Sequence, residues 1–207
     1  MISNGPIILL TRVAYQAICY SRITNVSCWP CTFKPQDVVV LVKFLGYGDK
    51  RPSYAQIAKD LFLSPSEVHA SVQRARGARL LQGPEPGGSL NNAALEEFLI
   101  HGVKYAFPPQ RGELTRGVPT AHAAEPLKRQ ISAGNEPPPV WPSAMGKTRG
   151  YSFAPLYKTV PQAALGDPFL YQMLTLIDAI RDGRSRERQL AEQELKIRLK
   201  APEYAER

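Results

Sequence analysis

The sequence predicts a mainly α-helical protein with a small β-hairpin, a proline-rich segment and a C-terminal pair of helices. Three observations lead to this fold class. Apolar residues recur every three to four positions behind residues that favour helix starts. A Gly- and Pro-rich turn separates two short apolar runs, and eleven of the nineteen prolines lie between residues 108 and 168. We therefore divide the chain into four segments: 1–32, 33–107, 108–166 and 167–207.

Composition and charge limit the functions that the chain can have. Its 207 residues are 43% hydrophobic, which is enough to bury a core, and 26 basic against 18 acidic residues give a net charge of +8. The excess is densest between residues 33 and 82, which carry eight basic and four acidic residues. This charge favours a polyanionic partner such as nucleic acid.

The first 32 residues differ from the rest of the chain. They contain no acidic residue and hold all three cysteines, Cys19, Cys28 and Cys31. Cys28 and Cys31 have CxxC spacing, but a structural zinc site needs a second pair of ligands, so we expect neither a metal site nor a cofactor. The apolar run IILL is too short to span a membrane. We expect a poorly structured arm on a cytoplasmic protein with no membrane partner.

Two helices are predicted at the start of segment 33–107. In KPQDVVVLVKFLG, Pro35 suits a helix start and Asp37 favours the positive helix end, although the four valines also allow a strand. After the loop GYGDKRP, Ser53 and Gln56 predict a capping box ahead of YAQIAKDL. The inner faces expected from helical spacing are Val38, Leu41, Val42 and Leu45 in the first helix, and Tyr54, Ile57, Ala58 and Leu61 in the second.

A third helix is predicted in the stretch LSPSEVHASVQRAR, and its two sides differ in character. Ser64 caps it, Pro65 fits its first position, and Glu67 can bond back to the cap. At about 100° per residue, one stripe resembles a core face and the opposite stripe carries short and hydrogen-bonding side chains. The core stripe is Val68, Ser71, Val72 and Ala75, and the opposite stripe is Ser66, His69, Ala70 and Gln73, with Arg74 and Arg76 on its flanks.

Turn and cap signals predict the next elements. Leu80 and Leu81, the turn GPEPGG and the run SLNN indicate a small hairpin. Asn92 is expected to cap a further helix. Its inward side chains are expected to be Leu95, Phe98, Leu99 and Val103. The prolines of segment 108–166 exclude long helices while its aromatic residues argue against disorder, so we expect an irregular, extended passage that wraps over the domain.

The C-terminal segment predicts a pair of helices. Asp167 caps the first, Pro168 opens it and Gly183 ends it, and Ser185 opens a charged last helix. The stripe of the first helix is expected to form a dimer surface or, nearly as well, to pack on the chain's own domain. The stripes are Leu170, Met173, Leu174, Ile177 and Ile180 in the first helix, and Leu190, Glu194 and Ile197 in the second.

Residues 53–76 resemble a helix-turn-helix. Together with the helix before and the hairpin after, the chain from Phe33 to about Leu90 is similar to the winged helix-turn-helix of bacterial transcription regulators of the multiple-antibiotic-resistance repressor type. The residues that carry the resemblance are Ala58, small where the helices cross, Leu63 and Val68, which hold the next helix, and the motif SPSEV. Phe62 stands at the turn position that glycine often fills. The stretches HGVKYAFPPQRGELTRGVPTAHA and LIDAIRDGRSRER resemble an uncharacterised group of bacterial proteins.

The resemblance implies a sequence-specific DNA-binding transcriptional regulator that is not an enzyme. An α-helix fits the major groove, so the outer stripe of helix 64–76 becomes the reading surface. The expected base-reading residues are Ser66, His69, Ala70 and Gln73. The expected contacts to the DNA backbone are Lys50, Arg51, Ser53, Ser64, Arg74, Arg76 and Arg79. We expect a homodimer on double-stranded DNA, because a two-fold protein doubles the contacts on a palindrome.

Other functions stay open at this point. Many winged helices only join proteins, so a protein-interaction adaptor without specific DNA binding is the main alternative. The sequence contains no GxxxxGK[ST], HExxH or GxSxG motif, which argues against the corresponding enzyme classes. RGELTRG, residues 111–117, reads as a polar turn whose two arginines could hold an anion, and an ordinary surface loop explains it equally well.

Overall fold

A computed structural model describes residues 32–48, 50, 52–83, 88–131 and 136–200. They belong to the compact unit Thr32–Arg207. Residues 1–31 of the arm predicted over 1–32, with the three cysteines, lie outside the described residues. The described part is mainly helical and contains two small sheets, which confirms the mainly α fold class.

Three helices come first, and they are α1 (Pro35–Tyr47), α2 (Tyr54–Leu61) and α3 (Pro65–Gly77). The valine-rich stretch is a helix, because Pro35 occupies its first turn and the Asp37 carboxylate accepts a hydrogen bond from the backbone N–H of Lys34 at 2.7 Å. The inner faces predicted for α1 and α2 are buried, apart from the half-buried Tyr54.

Helix caps decide where α2 and α3 begin. The Ser53 hydroxyl accepts a hydrogen bond from the backbone N–H of Gln56 at 3.2 Å, as predicted. The Gln56 side chain, however, donates to Asp60 at 2.8 Å, so the predicted capping box is only half formed. A complete box would need the Gln56 amide oxygen to accept from the backbone N–H of Ser53, whereas the charge-assisted bond from its amide nitrogen directs the side chain toward Asp60. At α3 the box is complete, with Ser64 and Glu67 each accepting from the other's backbone N–H, at 3.2 and 2.9 Å.

The predicted hairpin follows α3, with β1 (Leu81–Gln82) antiparallel to β2 (Ser89–Leu90). The helix after it begins one residue earlier than predicted. Its cap is Asn91 and not Asn92, because the Asn91 side chain accepts a hydrogen bond from the backbone N–H of Ala94 at 3.2 Å. The three parts of this helix are α4 (Asn92–Glu97), a π-helical turn (Phe98–Gly102) and α5 (Val103–Ala106).

The π-helical turn changes which side chains face the core. Ile100 is buried although a regular helical period did not predict it, and Phe98 is only half-buried although it was expected inside. A π turn inserts one residue into the helical repeat, so the positions after it rotate relative to a regular helix. Leu95, Leu99 and Val103 are buried as predicted.

Segment 108–166, predicted to be irregular, contains a small barrel. Its strands are β3 (Arg111–Pro119), β4 (Pro139–Pro142) and β5 (Thr148–Phe153). Strand β3 pairs antiparallel with both others and β4 pairs parallel with β5, so the sheet closes on itself. Gly150 permits the closure, since a Cβ at this position would lie 1.9 Å from the carbonyl oxygen of Pro138. The prolines do exclude long helices here, but they leave short strands possible.

The C-terminal part holds α6 (Val160–Gly166), which was not predicted, α7 (Pro168–Asp182) and α8 (Ser185–Lys200). Asp167 caps α7 by accepting from the backbone N–H of Leu170 at 3.0 Å, and α7 ends before Gly183, as predicted. In the described part of the chain, no helix is both long enough and apolar enough to cross a membrane.

Helix α7 lies inside the fold and packs against α1, α5, α6 and α8. Its predicted stripe, from Leu170 to Ile180, is at most 1% exposed. The expected dimer surface on this stripe is therefore wrong, and the alternative of packing on the chain's own domain is correct. The stripe predicted for α8 is also wrong, because Ile197 is 62% exposed. The buried side chains of α8 are Ala191, Leu195 and Leu199, spaced by four residues.

A buried carboxylate ties the barrel to the helices. Asp178 of α7 accepts hydrogen bonds from Trp141 Nε1 of β4 at 2.6 Å and from the Thr120 hydroxyl behind β3 at 2.8 Å. Its other oxygen accepts from Arg181 Nη1 at 2.6 Å, and Arg181 Nε donates to the carbonyl oxygen of Phe107 at the end of α5, at 2.8 Å. Because a buried charge is costly without such partners, these bonds fix how barrel and helices sit together.

Substitution of the buried arginine tests this network. Arg181→Met should lower the free energy of unfolding by about 3–5 kcal/mol, because Asp178 stays buried without its cationic partner. Urea denaturation followed by circular dichroism measures the change. The matched control is Arg129→Met, at an exposed ion pair with Glu125, which should cost less than about 1 kcal/mol. Equal losses in the two variants would contradict the role given to the network.

Candidate nucleic-acid interface

A left-handed turn joins α2 to α3 and sets the angle between them. Phe62, at the position often filled by glycine, has φ 54° and ψ 44°. The left-handed conformation costs about 1–2 kcal/mol at a residue other than glycine. The backbone N–H of Leu63 donates to the carbonyl oxygen of Ala58 at 2.9 Å, which closes the turn. Ala58 is 2% exposed, so its small side chain allows the helices to approach closely.

Helix α3 buries the stripe that the sequence predicted as its core face. Val68, Ser71, Val72 and Ala75 are all at most 1% exposed. The opposite stripe therefore faces outward: Ser66 and His69 are exposed, and Ala70 and Gln73 are partly exposed. The four residues proposed to read bases thus lie together on one accessible side of one helix.

Two of these residues are neighbours in a defined arrangement. Gln73 Nε2 and His69 Nε2 are 3.4 Å apart, at the long end of hydrogen-bond distances. The His69 ring also meets the ring of Tyr54 edge to face, with centroids 5.7 Å apart. These contacts connect the outer stripe of α3 to Tyr54 at the start of α2.

Arg74, expected on the DNA backbone, has a different role. Its Nη2 lies 2.6 Å from Asp37 Oδ1 and its Nε lies 2.8 Å from Asp37 Oδ2. Arg74 is 13% exposed and Asp37 is fully buried. The hydrogen bond to Asp37 raises the pKa of Arg74. This bidentate pair holds α3 on α1, and we remove Arg74 from the candidate interface.

The other expected backbone contacts surround α3. Lys50, Ser53, Ser64 and Arg79 are exposed and Arg76 is half-buried. Arg51 lies outside the described residues. Sequence reasoning missed Lys59, an exposed cation on α2. Its position two residues after Ile57, on the side of α2 away from the core, could have identified it.

The start of α3 carries an engaged carboxylate. Hydrogen bonds from the backbone N–H of Ser64 and from its hydroxyl lower the pKa of Glu67. The Tyr157 hydroxyl donates to Glu67 Oε1 at 3.3 Å. The segment that follows the barrel therefore contacts the first turn of α3, where ionised Glu67 also matches the positive helix end.

An ion-pair network fixes the position of α2. Lys43 Nζ lies 3.0 Å from Asp60 Oδ2 and 2.8 Å from Asp167 Oδ2, and the Tyr47 hydroxyl donates to Asp60. Burial, with the hydrogen bond to Asp60, raises the pKa of Tyr47 to about 12. Burial opposes ionisation of Asp60, but hydrogen bonds from Tyr47 and Lys43 outweigh it and lower the pKa of Asp60. The network joins α1, α2 and the cap of α7.

No protein-family model matches the chain, and no curated protein or solved structure matches it. Within the described ranges, the structure also holds no group of three or more His, Cys, Asp or Glu residues that could bind a metal ion.

The network around Asp60 makes stability depend on pH. The folded-state pKa of Asp60 lies below its unfolded value, so the ionised form stabilises the fold above about pH 4, and this contribution is lost as the pH falls through the folded-state pKa. Asp60→Asn should lower the free energy of unfolding by about 1–2 kcal/mol near neutral pH. The difference from wild type should shrink between about pH 5 and pH 2 in urea titrations. A difference independent of pH would contradict this.

Two arginine variants separate the anchor from the surface. Arg74→Gln should cost about 3–5 kcal/mol in the free energy of unfolding, because Asp37 stays buried without its partner. Arg79→Gln removes the same charge from an exposed site and should change the stability by less than about 0.5 kcal/mol. Guanidinium denaturation of both proteins measures the contrast. A small loss in Arg74→Gln would return Arg74 to the candidate surface.

Proposed function

We propose that this chain is a sequence-specific DNA-binding transcriptional regulator of the bacterial cytoplasm, and that α1 to β2 form a winged helix-turn-helix. The observation that carries the proposal is the division of α3 into a fully buried stripe and an accessible polar one. An α-helix fits the major groove of DNA, where its outward side chains reach base edges. The pairing of Arg74 with Asp37 holds α3 in one rotation about its axis, so the same side chains face outward in every molecule.

The chemistry of the outer stripe suits base recognition. Gln73 can bond to adenine through its amide, which both donates and accepts, and Ala70 can contact the methyl group of thymine. Ser66 and His69 donate or accept at neighbouring base edges. None of these four side chains carries a fixed negative charge, which would oppose approach to a phosphate chain.

Basic and hydroxyl side chains on α3 and near it in the sequence suit contacts to the sugar-phosphate backbone. The proposed backbone contacts are Lys50, Arg51, Ser53, Ser64, Arg76 and Arg79, and Lys59 joins them. The hairpin of β1 and β2 acts as the wing, with Arg79 two residues ahead of it. Each phosphate contact made by a cation contributes about 0.9 to the salt dependence of binding.

We propose that the regulator binds as a homodimer, because a single short helix reads few base pairs. The stripe of α7 is buried and takes no part, so the dimer forms through another surface. Light scattering on the full chain, with and without duplex, measures the stoichiometry.

One observation favours the alternative of a protein-interaction adaptor. Phe62, in the turn between α2 and α3, is 50% exposed. An aromatic ring at a surface turn is the kind of anchor that protein interfaces use. An adaptor predicts weak binding to all duplexes alike.

Titration of the full chain with a randomised duplex pool at two salt concentrations, followed by sequencing of the bound fraction, tests the proposal. Wild type should enrich one sequence family. Gln73→Ala should relax the preference at one position and cost about 1–3 kcal/mol on the preferred duplex, whereas Arg79→Gln should weaken all duplexes alike and lower the salt slope by about 0.9. Absence of any enriched sequence in wild type would favour the adaptor.

A further inference from the structure

The barrel presents a mixed basic and apolar surface that lies outside the α3 interface. In the antiparallel pair of β3 and β5, Leu114 lies opposite Tyr151 and Arg116 lies opposite Arg149. Residues directly opposite share a face, and so do residues two apart in a strand. These four side chains, which we call the barrel face, therefore form a two-by-two patch. All four are exposed.

The two arginines of the barrel face are an unfavourable pair by themselves. Like charges directly opposite in a sheet repel and destabilise it. Arg116 is held in place because its Nε donates to the carbonyl oxygen of Gly146 at 2.6 Å. Lys147 adds a third exposed cation to the groove beside them, which Leu114, Thr115, Arg116, Lys147 and Arg149 line. Among the described residues, none of these three cations forms an ion pair.

This arrangement revises the reading of RGELTRG, residues 111–117. The motif is strand β3 and not a polar turn, and its two arginines are separated by the fold. Arg111 forms an ion pair with Asp182, whereas Arg116 meets Arg149. The two arginines that could hold an anion together are therefore Arg116 and Arg149, and not the two arginines of the motif. Arg149 lies on β5, thirty-three residues further along the chain.

The apolar half of the barrel face adds a flat surface. Leu114 is 46% exposed and Tyr151 is 44% exposed, side by side across the strands. An exposed aromatic ring beside cations is the combination on which unstacked bases of single-stranded nucleic acid bind, with the base on the ring and the phosphates on the cations. A duplex keeps its bases stacked inside and would leave this surface uncovered.

We propose that the barrel face binds single-stranded nucleic acid, with a phosphate held between Arg116 and Arg149 near Lys147 and a base stacked on Tyr151. An acidic peptide would satisfy the cations but would leave the ring and Leu114 without a flat partner. The inference does not rest on the duplex recognition proposed for α3, because it uses different residues on different elements.

Fluorescence anisotropy of the full chain with a labelled thymidine oligonucleotide of about 12 nucleotides tests the proposal. Tyr151→Ser should weaken binding about 5- to 100-fold, and Tyr151→Phe should retain it, because the ring is what stacks. Arg149→Gln should weaken binding and reduce its salt dependence, without lowering the thermal midpoint, since it removes a repulsion. Arg186→Gln removes the same charge at an exposed site on α8 and should leave binding unchanged.

Three results would overturn the proposal. They are equal binding by wild type and Tyr151→Ser, equal losses in Arg149→Gln and Arg186→Gln, or equally effective competition by an oligoglutamate peptide of the same length. Gln73→Ala separates this proposal from duplex recognition, because it should alter the choice among duplexes and leave binding of the thymidine strand unchanged. A negative result for the barrel face therefore does not bear on the proposal for α3, and a negative result for α3 does not bear on the barrel face.

Discussion

The carboxylate of Asp178 is the constraint on which the arrangement of this molecule depends. It lies in the interior, where an ionised group is tolerated only when donors surround it, and its donors come from β4, from the residue behind β3 and from the same helix. Through Arg181 the same network reaches the end of α5. The barrel is thus held on α7 by directional bonds, and apolar contact alone would not specify that orientation. With the barrel in this orientation, Tyr157 reaches the first turn of α3.

Several of the chain's cations lie inside the fold, where each is paired with at least one acidic residue. Arg74 pairs with Asp37, Lys43 with Asp60 and Asp167, and Arg181 with Asp178. Each pair joins elements that are distant in sequence or fixes a helix against its neighbours. Some of the exposed cations lie around α3 and on the barrel face. Both proposed nucleic-acid surfaces use these exposed groups, and the internal pairs set the orientation of the elements that carry them.

Local signals predicted most of the helices and the character of the candidate site. The caps at Ser53, Ser64 and Asp167 fix helix starts through bonds between residues three apart, and such bonds are visible in a short stretch of sequence. Predictions failed where a neighbouring residue offered another hydrogen-bond partner or another cap, or where the helix changed its period. The Gln56 side chain donates to Asp60, and Asn91 caps α4 where Asn92 was expected. The π-helical turn shifts the helical period, so Ile100 faces the core. The stripe of α8 was misjudged because only contact with α7 selects among its possible faces.

The sequence by itself determined the mainly helical fold, the two faces of α3 and the hairpin that follows it, because helical spacing, caps and turn residues act over a few neighbouring positions. Only the tertiary structure decided that Arg74 is an anchor, that α7 is central, and that Arg116 and Arg149 share a face. Each of these depends on a partner from a distant part of the chain: Asp37 for Arg74, the surrounding helices for α7, and the register of β3 against β5 for the two arginines. Charge and hydrophobicity can be read along a chain, whereas the partner that neutralises or covers a side chain is chosen by packing in three dimensions.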